Sequence, residues 1–260
     1  MSNDFPDHRE FLEFSEKLAN LSRNILLKAA QEPHKVEIKS DNSFVTETDK
    51  KVEQQLRELI QKTYPNHGIL GEEFKSFGLD ADFVWVLDPI DGTAAFLAGI
   101  PVYGTLIGLA YKGRPFIGVI DHPATKDRWK GVSNRITYHN NQTVKVRSCK
   151  LLSSAFVTCS NSDFMNDKEL IKFERIKQKT QYVQYGGSCF SYGVLASGKT
   201  DIAIDSGLDA FDIFAPAAVI LGAGGFISDW EGKEITFNVD NGVIAAGDRA
   251  RMDDILKLLQ

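Results

Sequence analysis

The chain has 260 residues, of which 43% are hydrophobic and 25% charged, a composition typical of a globular protein with a sizeable core. Its net charge of −5, with no basic run interleaved with aromatic residues, argues against nucleic acid as a partner. The first ten residues are polar and acidic, and no apolar run reaches the roughly 18 residues that span a bilayer. We therefore expect a cytoplasmic protein that does not associate with membranes.

The first half of the chain combines two amphipathic helices with short strands. Apolar residues recur at three- and four-residue spacing over 7–32, and a second helix is predicted over 46–64, with Thr46 or Thr48 as its N-cap. Runs typical of β-strands follow, the last two joined as a hairpin. These runs cover 68–71, 83–88, 103–113 and 115–123.

The second half alternates strands and helices, which is the pattern of stacked sheet and helix layers. The predicted strands cover 154–159, 181–186, 200–206 and 242–247. The predicted helices cover 167–177, 188–198, 211–225 and 250–259. We place a soft boundary between an N-terminal half, 1–147, and a C-terminal half, 148–260, within one compact body.

The chain has three cysteines, Cys149, Cys159 and Cys189, without CxxC spacing. An odd number in this pattern argues against a disulfide framework or a thiolate zinc site. We expect all three to be reduced and packed, because no histidine is placed to activate a thiol.

Carboxylates occur at four places where a predicted strand ends or a predicted helix begins, which is where layered folds tend to build their sites. They are Glu72 with Glu73, Asp88 with Asp91, Asp49, and Asp212. Each place has an ordinary structural alternative, which is, in the same order, a solvated loop, a tight turn, a favourable charge in a first helical turn, and a helix cap. The last alternative is the weakest, because Asp212 begins a very apolar helix, and a buried carboxylate needs a partner.

Taken together, these carboxylates indicate a site for hard divalent cations such as Mg²⁺. The candidate ligands are Glu72, Asp88, Asp91, Asp212 and a backbone carbonyl of the Pro89-Ile90 turn. Three or four carboxylates that converge without a neighbouring lysine or arginine would repel one another, and two cations would relieve this repulsion more readily than one. The backbone amides of Gly92 and Thr93, where the turn enters a helix, could then receive a phosphate oxygen.

Reaction rates favour metal ions over a metal-free mechanism for phosphoryl transfer. Hydrolysis of phosphate monoesters needs accelerations of up to ~10²¹, whereas a general base contributes ~10² to 10⁴. Two metal ions can activate water and stabilise the leaving oxygen. The five histidines are scattered, and we expect structural or solvated roles for all of them, at positions His8, His34, His67, His122 and His139.

Three segments in this order, "GEEF", "WVLDPIDGTAAF" and "FDIFAPAAVILGAGG", resemble the two signatures of the inositol monophosphatase family of magnesium-dependent phosphatases. The resemblance extends from about Lys39 to the end of the chain. It implies an α/β fold of five layers, an αβαβα sandwich of the inositol monophosphatase and fructose-1,6-bisphosphatase type. It also implies a homodimer, two or three Mg²⁺ ions per site and inhibition by lithium.

The resemblance also implies roles for individual residues. A first metal would be bound by Glu72, Asp88 and the carbonyl of Ile90. A second would be bound by Asp88, Asp91 and Asp212, and a third, weaker site would involve Glu72. The water that attacks phosphorus directly, without a phosphoenzyme, would be polarised by Thr93 and Asp49 with help from Glu72. Lys39 matches a basic residue near a mobile loop of the family, although a solvated lysine is the alternative.

Within the family, the segments 103–129 and 207–232 are more similar to the histidinol-phosphate phosphatase branch, which would place the protein in histidine biosynthesis. Ala95, where the family commonly has asparagine, agrees with this branch. Phe211 replaces a common tryptophan, and Ser188 stands where this branch often has aspartate. The loss of that charge weakens the case for a cationic aminoalcohol. Asp205 and Asp209 remain as possible acidic contacts.

The residues predicted to contact the substrate are Asp91, Gly92, Thr93, Ser188, Asp205 and Asp212. Two alternatives remain open. One is a phosphatase for another small substrate: inositol 1-phosphate, fructose 1,6-bisphosphate or 3′-phosphoadenosine 5′-phosphate. The other is a regulatory partner in the assembly of ribonucleoprotein complexes, for which no basic face is evident.

Overall fold

The computed structural model describes residues 5–39, 44–239 and 242–260. Two long helices, α1 (Arg9–Ala29) and α2 (Glu47–Thr63), pack against each other as the apolar spacing predicts. Of the two candidate caps, the structure selects Thr46, whose hydroxyl accepts hydrogen bonds from the amides of Thr48 and Asp49. A two-stranded ribbon, β1 (Val36–Ile38) and β2 (Phe44–Thr46), precedes α2 and is not indicated by the sequence pattern.

A seven-stranded sheet forms one layer of the fold, in the order β3-β4-β5-β6-β7-β8-β9. Only its first pair is parallel. Lys112 and Gly113 both have positive φ, as a tight two-residue hairpin requires. The strands are β3 (Gly68–Gly71), β4 (Phe83–Asp91), β5 (Gly104–Tyr111), β6 (Arg114–His122), β7 (Asp127–Val132), β8 (Ile136–His139) and β9 (Gln142–Val144).

A five-stranded sheet forms a second layer, in the order β11-β10-β12-β14-β13. Its strands are β10 (Phe156–Cys159), β11 (Tyr182–Tyr185), β12 (Ile202–Asp205), β13 (Phe226–Asp229) and β14 (Val243–Ala246). The helices of this half are α4 (Asp167–Lys179), α5 (Phe190–Ala196), α6 (Ala210–Gly222) and α7 (Arg249–Leu259). A short helix, α3 (Thr93–Ala98), follows β4 in the first half.

These elements stack as five layers. Helices α1 and α2 cover one face of the seven-stranded sheet, and α5 and α6 lie between the two sheets. Helices α4 and α7 pack against each other, and α7 contacts β14 of the five-stranded sheet. The predicted αβαβα sandwich is therefore confirmed. Among the described helices, none is long and apolar enough to cross a membrane.

Helix α6 lies unusually close to the seven-stranded sheet. A methyl group added at Gly118 in β6 would collide with the carbonyl of Ala215, and one added at Gly131 in β7 would collide with Val219. These strand glycines therefore let α6 sit directly on the sheet. Helix α6 also contacts β4, and its first turn carries Asp212.

Candidate active site

A β-bulge brings Asp88 and Asp91 to the same site. In a regular strand, residues three apart point to opposite faces of the sheet. Here β4 pairs with β5 through Asp88 with Leu106 and Asp91 with Gly104, so β4 contains one extra residue between the two pairs. The extra residue allows both carboxylates to reach one cluster. The sequence indicated a turn at this position, and the structure shows a strand that continues through it.

Three carboxylates form the centre of the site. Oxygens of Asp88, Asp91 and Asp212 all lie within 4.8 Å of one another. Asp88 is buried, whereas Asp91 and Asp212 are half-buried on its open side. Burial raises the pKa of each of the three, and the neighbouring carboxylates Asp91, Asp212 and Glu72 raise the pKa of Asp88 further. Asp88 and Asp212 therefore resist ionisation while their neighbours are negative.

The cluster fits a metal ion in its donor chemistry. Within residues 5–39, 44–239 and 242–260, no donor reaches Oδ1 of Asp88, although this atom is buried. A buried carboxylate oxygen without a donor is costly unless a cation takes that place. Several carboxylate oxygens around one point are the ligands that hard divalent cations prefer.

Asp212 has both of the roles that the sequence left as alternatives. Its Oδ2 accepts a hydrogen bond of 2.6 Å from the amide of Asp209, the residue before α6, so it helps to cap the helix. Its carboxylate also belongs to the three-residue cluster. The capping bond therefore fixes the side chain in the orientation that the cluster requires.

Glu72 lies beside the cluster and is paired with Lys39. The Lys39 ammonium donates hydrogen bonds of 2.8 Å to Glu72 and 2.7 Å to Glu73. Burial raises the pKa of Glu72, and Lys39 opposes that rise. Lys39, which the family resemblance had singled out, is therefore paired with Glu72 and is not the solvated lysine of the alternative.

A buried ion pair in α2 positions the loop that carries Glu72 and Glu73. Glu53 accepts hydrogen bonds from the amides of Glu73 (2.7 Å) and Phe74 (3.2 Å), and its own partner is Arg57 at 2.6 Å. Arg57 also donates to the carbonyl of Phe74 at 2.8 Å. This ion pair was not predicted from the sequence. Its detectable signal is two opposite charges four residues apart, beside the buried apolar positions of α2.

Asp49 and Thr93 come together as expected. The Thr93 hydroxyl lies 3.3 Å from Oδ1 of Asp49 and 3.0 Å from the carbonyl of Ile90. Asp49 is buried, and burial raises its pKa, while hydrogen bonds from Thr46 oppose the rise. The hydroxyl therefore lies next to both an acceptor carboxylate and a predicted metal-binding carbonyl.

The segments around Gly92 and Ser188 face each other. Gly92 has φ +77 and precedes α3, whose first-turn amides have no partner within the helix. Ser188 has φ +43, and its hydroxyl oxygen lies 3.2 Å from where a Cβ of Gly92 would be. Ser188 thus stands directly over the turn predicted to receive phosphate.

Asp205 does not join the three-carboxylate cluster. It is buried, and it accepts hydrogen bonds from the Ser160 amide (2.6 Å) and the Tyr192 hydroxyl (2.8 Å). Burial raises the pKa of Asp205 to about 6. Both oxygens already have protein donors, which disfavours the substrate contact predicted for this residue. Asp209 is exposed at the start of α6.

The three cysteines are free and buried in the described chain, as expected. A histidine does approach one thiol, since Nε2 of His122 lies 3.4 Å from Sγ of Cys189, a contact that the sequence did not indicate. Burial and the nearby Asp91 raise the pKa of the Cys189 thiol well above its usual value, so the group is not a thiolate nucleophile.

The fold and the carboxylate cluster define the class of the protein, a metal-dependent hydrolase of phosphoric monoesters. The family model described as inositol monophosphatase family matches residues 7–260, and the chain belongs to this family. The resemblance identified from the three sequence segments is thereby confirmed.

Relatives of the chain have several names. The bifunctional phosphatase IMPL2, chloroplastic, of Arabidopsis thaliana is 39% identical over 240 residues, which are 89% of this chain and 69% of that protein. A histidinol-phosphatase of Chlorobaculum parvum is 28% identical over 230 residues, 88% of each protein. The Nus factor SuhB of Pseudomonas aeruginosa is 30% identical over 231 residues, 85% of this chain and 84% of that protein.

The solved structure of an inositol monophosphatase from Zymomonas mobilis matches the fold with a TM-score of 0.89 at 32% identity. The match covers 98% of this chain and 99% of that chain. The relatives therefore share the fold while their names differ in the substrate or the role that they state.

Proposed function

We propose that the protein is a Mg²⁺-dependent phosphatase of a small phosphorylated alcohol, with histidinol phosphate as the favoured substrate. The observation that carries the metal assignment is the cluster of Asp88, Asp91 and Asp212, with a buried oxygen of Asp88 that no described donor reaches. We further propose two or three ions per site, a homodimer and a cytoplasmic location.

The chain's carboxylates divide into two ligand sets. Glu72, Asp88 and the carbonyl of Ile90 would hold one ion, and Asp88, Asp91 and Asp212 would hold the other. Bound Mg²⁺ would lower the pKa of a water molecule and stabilise the oxygen that leaves phosphorus. Asp88 is suited to belong to both ligand sets because it is the most deeply buried of the three clustered carboxylates.

Thr93 and Asp49 would orient the attacking water and accept its proton. The Thr93 hydroxyl proton is directed toward the oxygens of Asp49 and Ile90, at 3.3 and 3.0 Å. The hydroxyl oxygen therefore has a lone pair that can accept a hydrogen bond from water. The amides of Gly92 and Thr93 would hold a phosphate oxygen, and Asp91, Asp212 and Ser188 would line the path to the alcohol.

Histidinol phosphate is favoured by two lines of support. One relative carries the name histidinol-phosphatase. Exposed Asp209 at the rim would attract a cationic ligand. Ser188 in place of an aspartate argues against strong binding of a cation at that position, and the buried Asp205 does not replace it.

Inositol 1-phosphate is the second candidate, supported by the solved structure of an inositol monophosphatase with the same fold. Ser188 would suit this substrate, because a hydroxyl can donate to or accept from a neutral polyol. Fructose 1,6-bisphosphate and 3′-phosphoadenosine 5′-phosphate carry a second phosphate. Binding either one would require cations near the site, and Lys39 is already paired with two glutamates.

A regulatory role is the third candidate, because one relative is named Nus factor SuhB. The net charge of −5 does not favour direct contact with RNA. The complete carboxylate set favours catalysis. Recovery of RNA or RNA polymerase with the purified protein, together with an unchanged growth phenotype for Asp91→Asn, would support the regulatory role instead.

The test is a phosphate-release assay on all four substrates with Mg²⁺ and with EDTA. We expect the highest kcat/KM with histidinol phosphate and no release in EDTA. Asp88→Asn should abolish release, whereas Asp163→Asn, which removes an exposed carboxylate elsewhere, should not. A higher kcat/KM with inositol 1-phosphate would overturn the substrate assignment, and full activity of Asp88→Asn would overturn the metal assignment.

A further inference from the structure

A hydrogen bond to a backbone carbonyl determines which ring nitrogen of His122 carries the hydrogen. His122 is fully buried at the end of β6, and its Nδ1 lies 2.8 Å from the carbonyl oxygen of Tyr103. A carbonyl can only accept, so Nδ1 carries the hydrogen. Burial lowers the pKa of His122, which favours the neutral ring. Nε2 is therefore a hydrogen-bond acceptor.

Cys189 connects this ring to the carboxylate cluster. Its Sγ lies 3.4 Å from Nε2 of His122, where the thiol can donate to a neutral ring, and the Cys189 side chain is also within hydrogen-bonding reach of Asp91. Its backbone amide donates a hydrogen bond of 2.8 Å to Oδ2 of Asp91. A continuous chain therefore runs from Tyr103 through His122 and Cys189 to Asp91, in which every donor faces an acceptor.

The turn that carries the Cys189 amide needs such support. Ser188, immediately before it, has φ +43, a conformation that residues with side chains seldom adopt. Phe190, immediately after it, packs edge-on against the His122 ring at 4.9 Å between centroids. Without these contacts, the amide would not be held at the position where it orients Asp91.

We propose that His122 and Cys189 are positioning residues, which set the orientation of Asp91 for metal binding through the turn at 187–190. This inference rests on the proposed Mg²⁺ site. It assigns to a buried thiol and a buried imidazole a function that requires neither to ionise nor to contact the substrate. Outer partners of metal ligands commonly affect metal affinity by 10- to 100-fold.

The first test is Mg²⁺ binding by isothermal titration calorimetry on the purified full-length protein. Cys189→Ala removes the donor to Nε2 and should raise the Kd for Mg²⁺ by about tenfold. Cys189→Ser retains a donor and should recover most of the affinity. Cys149→Ala is the matched control, because it also removes a buried thiol. That thiol donates to the carbonyl of Leu151 at 3.3 Å, and its removal should leave the Kd for Mg²⁺ unchanged.

The outcomes separate the two proposals. If the unaltered protein does not bind Mg²⁺, the proposed function fails. If it binds Mg²⁺ and the Kd of Cys189→Ala rises less than threefold, the positioning role is overturned, while a rise of threefold or more supports it. His122→Asn places an amide nitrogen near Nδ1 but lacks the Nε2 acceptor, so it should weaken binding as Cys189→Ala does. The double variant, Cys189→Ala with His122→Asn, should have a Kd for Mg²⁺ only slightly higher than that of either single variant.

The second test is nitrogen NMR on protein with ¹⁵N-labelled histidine, with His122 assigned by its loss in His122→Asn. In the unaltered protein we expect a neutral ring with its hydrogen on Nδ1. In Cys189→Ala the chemical shift or the coupling of Nε2 should change, because its hydrogen-bond donor is lost. A ring with hydrogen on Nε2, or a doubly protonated ring at neutral pH, would contradict the chain of donors and overturn the proposal.

Discussion

Asp88→Asn should make the metal-free protein more stable, even though it removes the ligand proposed for both ions. In the absence of cations, Asp88 is buried among other carboxylates, and its Oδ1 has no donor among the described residues. Burial and three neighbouring acids raise its pKa. A neutral amide of nearly the same shape removes that repulsion, and its cost in desolvation is smaller than that of a carboxylate.

The magnitude follows from the geometry. Two unit charges at 4.8 Å, the limit of separation within the cluster, repel by about 3.5 kcal/mol at an effective dielectric constant of about 20. Asp91 and Asp212 are partly exposed, so solvent reduces this value. We expect a gain of about 1–3 kcal/mol, or a rise in Tm of about 3–9 °C for a chain of this size.

The assay is urea denaturation followed by tryptophan fluorescence, in EDTA and again in saturating MgCl₂. Mg²⁺ at one hundred times its Kd should stabilise the unaltered protein by about 2.7 kcal/mol. The same concentration should stabilise Asp88→Asn much less, and Asp163→Asn should follow the unaltered protein in both buffers. Loss of stability in EDTA, or an undiminished gain from Mg²⁺, would refute the account of the cluster.

Four further predictions concern the surroundings of the cluster. Thr93→Val should lower kcat for phosphate release by about 10²- to 10⁴-fold, because the hydroxyl that orients water is lost, yet leave the calorimetric Kd for Mg²⁺ unchanged; weaker Mg²⁺ binding would assign it a ligand role instead. Lys39→Met should lower the Mg²⁺ concentration needed for half-maximal activity several-fold, since Glu72 is freed from its ion pair, and a higher requirement would contradict this competition. Gly118→Ala should cost about 1–3 kcal/mol in denaturation experiments because of its collision with Ala215, and a neutral result would show that α6 can shift. In EDTA, stability should fall as pH rises from about 4, since carboxylates with raised pKa values favour the folded state only while protonated; denaturation at several pH values checks this, and added Mg²⁺ should reverse the trend.

The strongly periodic elements could be predicted from the sequence. Apolar spacing located α1 and α2, and the alternation of strands and helices beyond residue 148 located α4 to α7. Strand β7 escaped prediction because it contains charged residues. Strands β8 and β9 escaped because they have only four and three residues and depend on pairing within the sheet. The β1–β2 ribbon escaped for the same reason.

The carboxylate cluster was accessible from sequence because Asp88 and Asp91 lie in a specific motif, and Asp212 begins a conspicuous apolar helix. The bulge in β4 was not accessible, since the same residues, DPIDG, also suit an ordinary turn. The difference becomes visible only in the pairing of β4 with β5.

The supporting contacts could not be predicted from local spacing, because they join residues that are distant in the chain, and Lys39 was singled out through the family resemblance alone. Lys39 meets Glu72 across 33 positions, and Cys189 meets His122 across 67. Neither pair has a local spacing that would indicate it. Asp205 shows the converse, since its place at a strand end suggested a site residue, whereas its carboxylate is bonded inside the protein.

The central claim is that Asp88, Asp91 and Asp212 hold the metal ions that act on phosphate. Crystals grown with Mn²⁺ and inorganic phosphate, measured at a wavelength where manganese scatters anomalously, test it most directly. We predict at least two anomalous peaks, one within about 2.1–2.3 Å of oxygens from all three residues and both in contact with Asp88. Peaks elsewhere, with the oxygens of Asp88 in contact with water or protein donors alone, would contradict the account.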